Sequence, residues 1–371
     1  MKVPSLFLAL LLAGCVTTAH EARWEASVCF EAKGAIERIR CGRPDASDPD
    51  LQAVSVDQAG EVALMHFHGG VPSSEVIYRN GVELTGLAIG DLDPEQPGVE
   101  IYVSGWAHND QGQETGGAVY QIVLGEPTRV RQLFAAPVYI HSLEILPGAR
   151  LLVSTYQGEI HELTPGAGLA PWTDRILHAE GPLADPEAPK IKDVGLLAEP
   201  GGAPRHRALV AMKAGRLLYI DLDRPEEARL VHEESGGLSR ITPDADGGAY
   251  VTGYAGRLMH WTSTEGEWKY DVLDQEGVDS GLRGAVIGRF PAGEGVAQLV
   301  VFGFHKLCRA LVPRLGVLDP VTLYVDLDRG HTIEAADLVP GNDADELLVG
   351  GYSKRVTLLV ARSVSAGSRS P

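Results

Sequence analysis

The sequence predicts an all-β protein folded as a seven-bladed β-propeller. Similar segments recur along the 371 residues at intervals of 39 to 57 residues, and segments with helical periodicity are nearly absent. The 44 Gly and 23 Pro supply turns for many short strands, whereas the chain is only 6% aromatic. Repeats of this length with about four strands each are typical of propeller blades.

Each repeat has a short apolar strand, a turn rich in Gly, Pro or Asp, and a second strand followed by a tight turn and a third strand. The segment from Ser142, SLEILPGARLLVSTYQGEIHEL, shows this order, as does RITPDADGGAYVTGYAGRLMHW from Arg240. We align the repeats on the residue that follows the second strand, which gives Phe67, Trp106, Tyr156, Lys213, Tyr254, Phe304 and Tyr352. Seven such positions predict seven blades.

The last repeat ends near Ala361 without an outer strand, so another part of the chain must complete its sheet. Residues 24–41 contain strand-like segments, and we predict that these N-terminal strands close the ring of a propeller spanning 24–361. The alternative is six blades with an irregular N-terminal extension. Residues 362–371 have no apolar pattern and are predicted to be a disordered tail.

The N-terminus has the features of an export signal over residues 1–14. Lys2 precedes an apolar stretch from Leu6 to Leu12, which is too short to span a bilayer. The ending Leu12-Ala13-Gly14-Cys15 resembles the lipobox of bacterial lipoproteins, and the alternative is an ordinary cleaved signal with a chance cysteine. The resemblance implies that Cys15 is lipidated and that 15–23 is a lipid-anchored linker in the cell envelope. In that family Val16 after the cysteine favours the outer membrane.

The charge balance disfavours nucleic acids as partners. The chain has 50 acidic and 32 basic side chains, a formal charge of -18, which repels phosphate backbones.

Three cysteines follow the lipobox. Cys29 and Cys41 flank a segment whose Lys33-Gly34 suits a turn, so we predict a hairpin disulfide between them, with Cys308 a buried thiol.

Several turns resemble FG-GAP and VCBS-type propeller repeats. The best match is DLVPGNDADELLVGGY, Asp337 to Tyr352, followed by GDLDPEQPGVEIYVSGW and TPDADGGAYVTGY. Because members of that family often hold calcium in such turns, the resemblance implies candidate ligands at Asp91, Asp93, Asp244, Asp246, Asp343 and Asp345. Calcium needs six to eight oxygen ligands, and no single turn here supplies them. The alternative is that these side chains hydrogen-bond the backbone of their own turns.

A second candidate site lies where the blades meet. The first strand of each blade lines the propeller channel, and the turn after the second strand returns to the same face. We therefore expect two sets of side chains to converge at one mouth. They are His141, Lys192, Arg240, Arg283 and Glu334 at the strand starts, and Trp106, Tyr156, Lys213, Tyr254, Phe304, His305 and Tyr352 in the return turns.

Aromatic rings with a few basic groups are typical of ligand and protein interfaces, so this rim predicts an anionic small ligand or a protein partner. The alternative is that the aromatics only cap strand ends and the cations pair with surplus acids.

His66 and His68 lie two apart on one strand face, a spacing that suits two metal ligands, with His108 or His141 as the third. The alternative is that they are surface or packed imidazoles.

The sequence contains no recognised catalytic motif: G-x-S-x-G, the P-loop and G-x-G-x-x-G are all absent. We therefore expect a monomeric, membrane-anchored, exported propeller that acts as a binding or assembly module. The alternative is a propeller hydrolase or a sugar- or lactone-type enzyme with a divalent metal or redox cofactor at the channel mouth.

Overall fold

Seven four-stranded antiparallel sheets form the structure, a computed structural model, and they confirm the seven-bladed propeller. The structure describes residues 22–96, 98–108, 113–166, 170–181, 189–198, 206–264, 266–277, 280–290, 298–314, 317–341 and 344–363. The predicted signal peptide with Cys15, most of the linker and nearly all of the tail lie outside these ranges. Within them, no helix has the length and apolar character needed to cross a bilayer.

The strands follow one another blade by blade after β1 (Ala22–Glu31). Blades 1 and 2 contain β2 (Ile36–Gly42), β3 (Gln52–Asp57), β4 (Glu61–His66), β5 (Ser73–Arg79), β6 (Leu84–Gly90), β7 (Glu100–His108), β8 (Glu114–Val123) and β9 (Arg129–Ala136). Blades 3 and 4 contain β10 (Ile140–Leu146), β11 (Arg150–Thr155), β12 (Glu159–Thr164), β13 (Thr173–Ala179), β14 (Ile191–Leu196), β15 (Arg207–Met212), β16 (Arg216–Asp221) and β17 (Arg229–Glu233).

Blades 5 and 6 contain β18 (Leu238–Pro243), β19 (Ala249–Gly253), β20 (Arg257–Thr264), β21 (Glu267–Gln275), β22 (Leu282–Gly288), β23 (Gln298–Gly303), β24 (Leu307–Arg314) and β25 (Val317–Val325). Blade 7 contains β26 (Gly330–Ala336), β27 (Glu346–Gly351), β28 (Arg355–Ser363) and the N-terminal β1. Short 3-10 turns lie at His68–Gly70 and Pro225–Glu227.

The ring closes through β1, which pairs antiparallel with β28, Trp24 opposite Ala361. β1 supplies the missing outer strand of blade 7, as expected, and the six-blade alternative is wrong. The second N-terminal strand, β2, has a different place from the predicted one. It pairs with β3 and is the innermost strand of blade 1, so the first repeat begins at Ile36 and only β1 closes the ring.

The predicted Cys29–Cys41 disulfide is not formed, and Cys29, Cys41 and Cys308 are all free thiols. The prediction assumed a hairpin between the two N-terminal strands. Instead β1 is the outermost strand of blade 7 and β2 the innermost strand of blade 1. The Lys33-Gly34 segment therefore crosses from the rim of one sheet to the centre of the next. Burial raises the pKa of the Cys29 thiol to about 12, which keeps it protonated and unreactive.

Apolar side chains fill the space between neighbouring blades. Val54 and Leu64 of blade 1, for example, pack with Leu87 and Val103 of blade 2, and all four are buried. Gly330 shows how closely the blades approach, since a Cβ at this position would lie 2.4 Å from the Phe302 ring of the preceding blade. This packing fixes the innermost strands around the channel.

Each innermost strand runs from one face of the ring, which we term the upper face, to the lower face. Every one of them has a register shift against its neighbour near its upper end, because one extra residue is inserted there. A β-bulge of this kind redirects a side chain. The inserted residues define the bulge layer: Glu37, Thr85, His141, Lys192, Ser239, Arg283 and His331.

Candidate functional site

The upper mouth of the channel is built from tight turns that follow the second strand of most blades. In blade 5, for example, the Gly256 N–H donates to the Gly253 carbonyl, and Gly256 has a φ of 72°. The N–H of Tyr254 in the same turn donates to the Gly237 carbonyl, just before the innermost strand. The turn residue is therefore tied to the channel wall, and the repeat of this bond around the ring forms a continuous rim.

The rim bond identifies the structurally equivalent residue in every blade: Gln58, Trp106, Tyr156, Lys213, Tyr254, Phe304 and Tyr352. The sequence alignment is correct for six of these and wrong for blade 1. Phe67 follows the third strand, at the lower face, and is fully buried. The misplacement arose because the first repeat was started at β3 instead of β2.

The rim aromatics form two arcs on opposite sides of the mouth. In one arc Tyr139, which precedes β10, packs between Trp106 and Tyr156 with ring centroids 4.7 and 4.8 Å away. In the other arc Phe304 lies 6.1 Å from Tyr352 and 6.3 Å from Tyr254. The non-aromatic rim residues of blades 1 and 4 separate the arcs.

Basic side chains of the bulge layer lie directly beneath both arcs. Lys192 donates a hydrogen bond to the Tyr156 hydroxyl at 2.8 Å and is only 7% exposed. Arg283 lies over the rings of Tyr254 and Phe304, 4.6 and 5.3 Å from their centroids, and is 2% exposed. Cation–π contacts of this kind partly replace the water that the buried cations have lost.

The next layer crosses the channel through two arginines. Arg38 of blade 1 donates to Asp193 of blade 4 at 2.9 Å. Arg240 of blade 5 reaches the Glu37 carbonyl at 3.3 Å and the Lys192 carbonyl at 3.1 Å. The contacts with Asp193 and with the Glu37 carbonyl connect blades that are not neighbours, so the middle of the channel is an ordered polar layer.

Positive charge exceeds negative charge in these two layers. Four basic side chains, Arg38, Lys192, Arg240 and Arg283, face two carboxylates, Glu37 and Asp193, so positive charge is in excess even when Lys192 is neutral. Burial lowers the pKa of Lys192 well below its usual value, and Arg283 and Arg240 lower it further. Burial, with Arg38 beside it, lowers the pKa of Arg240 to about 9. The channel is therefore a region of positive potential in an acidic protein.

The two histidines of the bulge layer are held neutral by this surrounding. Burial lowers the pKa of His141 well below its usual value, and the neighbouring Lys192 and Arg240 lower it further. Burial and Arg283 have the same effect on the pKa of His331. Arg283 Nη2 donates to His331 Nε2, and His331 Nδ1 faces the Glu37 carbonyl at 3.2 Å, which fits a neutral ring protonated at Nδ1.

Several buried polar atoms at the mouth have no hydrogen-bond partner among the described residues. Arg283 leaves both Nε and Nη1 unpaired, and His141 Nδ1 is unpaired as well. Buried polar groups are usually satisfied, and an orphaned guanidinium donor is especially costly. These atoms are thus positioned to hydrogen-bond a group that enters the channel.

The lower half of the channel is better balanced. Arg40 bonds Glu144 at 3.4 Å and Glu334 at 3.2 Å, and burial raises the pKa of both carboxylates. Glu334 was predicted to lie at a strand start, but it lies three residues deeper, and His331 occupies the predicted place. A cavity of about 250 Å³ reaches from this level up to Arg240 and Arg283.

Two predicted mouth residues have other surroundings. His305 accepts a hydrogen bond from the Leu307 N–H within its own turn, and burial lowers its pKa to about 4. Lys213 is exposed and lines a surface recess with Tyr254 between blades 4 and 5. The sequence interpretation missed four of the seven bulge-layer residues, Glu37, Thr85, Ser239 and His331, and placed Arg240 where Ser239 lies. A repeat alignment begun at the innermost strand would have found them.

The acidic turns all lie at the lower face, and the carboxylates of Asp93, Asp244 and Asp345 accept hydrogen bonds there. Asp93 accepts from the Glu95 N–H and from Gln121, and Asp345 from the Arg289 N–H. Asp244 accepts from the N–H groups of Asp246 and Gly248. These bonds fit the alternative to calcium binding, in which the acidic side chains hydrogen-bond the backbone of the turns. Asp91 and Asp246 are exposed, Asp343 lies outside the described residues, and calcium binding stays a prediction.

Comparisons with known proteins support the architecture only. No family model matches the chain, and no curated protein sequence matches it. The WD40 β-propeller domain of Doa1 is similar in structure, with a TM-score of 0.61, 14% identity, and coverage of 92% of this chain and 97% of that one. The chain is a β-propeller. Virginiamycin B lyase from Staphylococcus aureus matches with a TM-score of 0.62, 8% identity, and coverage of 92% and 99%. At such identities the likeness shows the fold alone.

Proposed function

We propose that this propeller is an exported binding module that holds a small anionic ligand in the upper part of its channel. The observation that carries the proposal is Arg283, which is 2% exposed and leaves Nε and Nη1 unpaired beneath an aromatic arc. A guanidinium presents its donors as a planar fork that matches a carboxylate, sulfate or phosphate. Such a ligand would satisfy these donors and offset the excess positive charge.

The channel offers both space and contacts for such a ligand. Arg283 and Arg240 line the cavity of about 250 Å³, which has room for a sulfate-sized oxyanion with bridging water. This cavity extends down to Arg40, Glu144 and Glu334, whereas Tyr254 and Phe304 lie on the rim side of Arg283 and do not line it. The two rings would contact only an organic group that extends from the bound anion towards the mouth. A small molecule fits this site better than a protein surface, because the basic groups are buried below the rim.

The proposal predicts that anions bind in the channel and that Arg283 is needed. Isothermal titration with sulfate, phosphate, acetate and succinate should give one site per chain for the best of them. Arg283→Gln should weaken that site roughly 10- to 100-fold, because a hydrogen bond to a charged group contributes about 1.5–3 kcal/mol.

Arg309→Gln is the matched control. Arg309 is also a buried arginine of blade 6, but it pairs with Asp274 at 2.7 Å and with Glu276, away from the channel layers. We expect this variant to lose stability and keep its anion affinity. Equal affinity losses in both variants, or no anion binding by the wild-type protein, would contradict the proposal.

One observation favours an enzyme as the second candidate function. His141 is buried and neutral, its Nδ1 is unpaired, and its ring stacks on Tyr156 with centroids 5.3 Å apart. A neutral imidazole beside basic groups is suited to act as a general base on an anionic substrate. In that case His141→Asn would abolish turnover of an anionic ester or lactone and leave sulfate binding intact. A wild-type protein that is inactive on a panel of these compounds would exclude the enzyme hypothesis.

Membrane anchoring through Cys15 belongs to the same proposal, as does a kinship with FG-GAP-type propellers. The support is the lipobox-like sequence, since two or three acyl chains would hold the protein on a membrane almost permanently. Cys15→Ser should move the protein from the membrane fraction to the soluble envelope fraction. Unchanged fractionation would contradict anchoring through Cys15 and would leave the channel site unaffected.

A further inference from the structure

We propose that Asp48, His66 and His68 form a site for a divalent transition metal, with zinc the best fit, at the lower face of blade 1. Each residue offers one donor atom, and the three donor atoms lie within 4.8 Å of one another. This site is separate from the channel and independent of the proposed anion binding. Asp48 takes the place of the predicted third ligand, which was His108 or His141. His141 lies in the upper bulge layer of blade 3, and the His108 side chain lies outside the described part of the structure.

The loop that carries Asp48 is held in place before any metal binds. The Gln52 amide at the start of β3 is fully buried and donates to the carbonyls of Asp45, Asp48 and Asp50. Asp48 also accepts a hydrogen bond from the Asp50 N–H through Oδ1. Its other oxygen, Oδ2, is thereby directed towards the two histidines. A preorganised carboxylate of this kind loses little freedom when it becomes a ligand.

The distances are close to those of a metal centre. Asp48 Oδ2 lies 3.4 Å from His68 Nε2 and 2.6 Å from His66 Nδ1. Ligands bound at about 2.1 Å in a tetrahedral arrangement are about 3.4 Å apart. The first separation already fits, and the second requires a widening of less than about 1 Å, within reach of a side-chain adjustment.

A second carboxylate supports His68. Asp50 Oδ2 lies 3.2 Å from His68 Nδ1, so this nitrogen can donate its proton to Asp50 while Nε2 faces Asp48. The carboxylate–histidine–metal arrangement is typical of bound imidazoles, because it fixes the tautomer and raises the basicity of the ligand. Mixed nitrogen and oxygen donors favour zinc over calcium, which takes oxygen ligands.

The histidine pair is specific to blade 1. His66 lies opposite the start of the second strand of its blade. By the register of the neighbouring pairs, the same place is occupied in the other blades by Val123, Thr164, Asp221, Trp261, Val312 and Val360. None is histidine, so the repeat architecture does not require His66. His68 is 61% exposed, which leaves the site open to solvent and to a fourth ligand such as water.

The test is titration of the untagged full chain with Zn²⁺ and, separately, with Co²⁺. We expect one tight site per chain, with a Co²⁺ visible spectrum typical of bound nitrogen and oxygen donors. Asp48→Asn and His68→Gln should each weaken Zn²⁺ binding at least about 10-fold, and Asp50→Asn by about 10-fold through the supporting bond.

His260→Gln is the matched control, because His260 and Asp244 also form a lower-face pair, 2.7 Å apart, in blade 5. This variant should bind Zn²⁺ as the wild-type protein does. Circular dichroism confirms that each variant is folded. The proposal is overturned if the wild-type protein binds no Zn²⁺, or if the blade 1 variants bind it as tightly as the control.

Discussion

The two faces of the propeller use charged residues in opposite ways, although the same strands reach both. At the upper face the channel layers bury four basic side chains with only two carboxylates, and Arg283 keeps unpaired donors. At the lower face the carboxylates of Asp93, Asp244 and Asp345 accept hydrogen bonds within and beside their turns. Satisfied polar groups stabilise a fold, whereas unsatisfied ones mark where a ligand can bind.

The two faces also differ in whether the same residue recurs from blade to blade, which separates positions needed for the repeat fold from positions available for function. A buried glutamate at the start of the second strand holds the lower turn in blades 2 and 7, where Glu100 accepts from the Leu92 N–H and Glu346 from the Leu338 N–H. Gln52 takes this place in blade 1. The bulge layer has no such repetition, since its seven residues differ in charge and size. Function is therefore expected in the bulge layer.

Asp193→Asn should have the largest effect on stability. Asp193 is buried between Arg38 and Arg240, and burial would raise its pKa, but the two arginines outweigh burial and hold the pKa below its usual range. Removing this charge leaves two guanidiniums with less compensation, at a cost of about 3–5 kcal/mol in unfolding free energy. Denaturant melts measure it.

The lower-face counterpart is Asp244→Asn, which should cost only about 1 kcal/mol, since an amide oxygen still accepts the turn hydrogen bonds. Sulfate should restore part of the stability lost by Asp193→Asn, because an anion replaces the missing charge, and should not restore that lost by Asp244→Asn. Equal losses in the two variants would remove the contrast between the faces.

Acid should destabilise the upper face through His141 and His331. Burial and the adjacent basic groups hold both pKa values well below 6.5, so as pH falls the unfolded chain takes up protons first. Stability is lost as pH falls from 6.5 towards the folded pKa values, by at most about 1.4 kcal/mol per pH unit for each histidine. In a His141→Gln, His331→Gln double variant, the free energy of unfolding should decline less steeply from pH 7 to 5. An identical decline in the variant and the wild-type protein would contradict a role of these histidines in acid destabilisation.

Sulfate affinity should fall as pH rises from 5.5 to 8.5. Burial and neighbouring cations lower the pKa of Lys192, and a bound anion raises it again, so binding takes up a proton. Because sulfate keeps its charge over this pH range, any change in affinity must come from titration of the protein. Titrations in buffers of different ionisation enthalpy measure the proton uptake, and proton release on binding would be the opposite of the expected sign.

Calcium should have the smallest effect. The acidic turns are already closed by hydrogen bonds in the described residues, so millimolar Ca²⁺ should raise the melting temperature by less than about 1 °C. Differential scanning calorimetry with Ca²⁺ and with Mg²⁺ measures this. A shift of several degrees for Ca²⁺ alone would show that the lower turns are ligand sites and that the resemblance to calcium-holding repeats extends to function.

The repeat pattern was enough to predict the fold, because blade packing requires the same strand, turn and Gly positions in each copy. It also predicted the rim aromatics, since their tight turns have local signals at Gly158 and Gly256. It placed His141, Lys192 and Arg283 at the mouth, but it could not predict the β-bulges that bring them into one layer with four other residues, because a one-residue insertion in each innermost strand leaves no mark in composition. Nor could it predict Asp48 beside His66, a contact set by where a loop returns over the sheet.

The most direct measurement is a crystal structure with selenate, whose anomalous scattering locates the anion. The account predicts a peak in the channel within hydrogen-bonding distance of Arg283 Nε or Nη1, present in the wild-type protein and lost in Arg283→Gln. If selenate at saturating concentration gives peaks only at exposed lysines and elsewhere on the surface, and none in the channel, this result would contradict the claim that the buried basic side chains bind an anion.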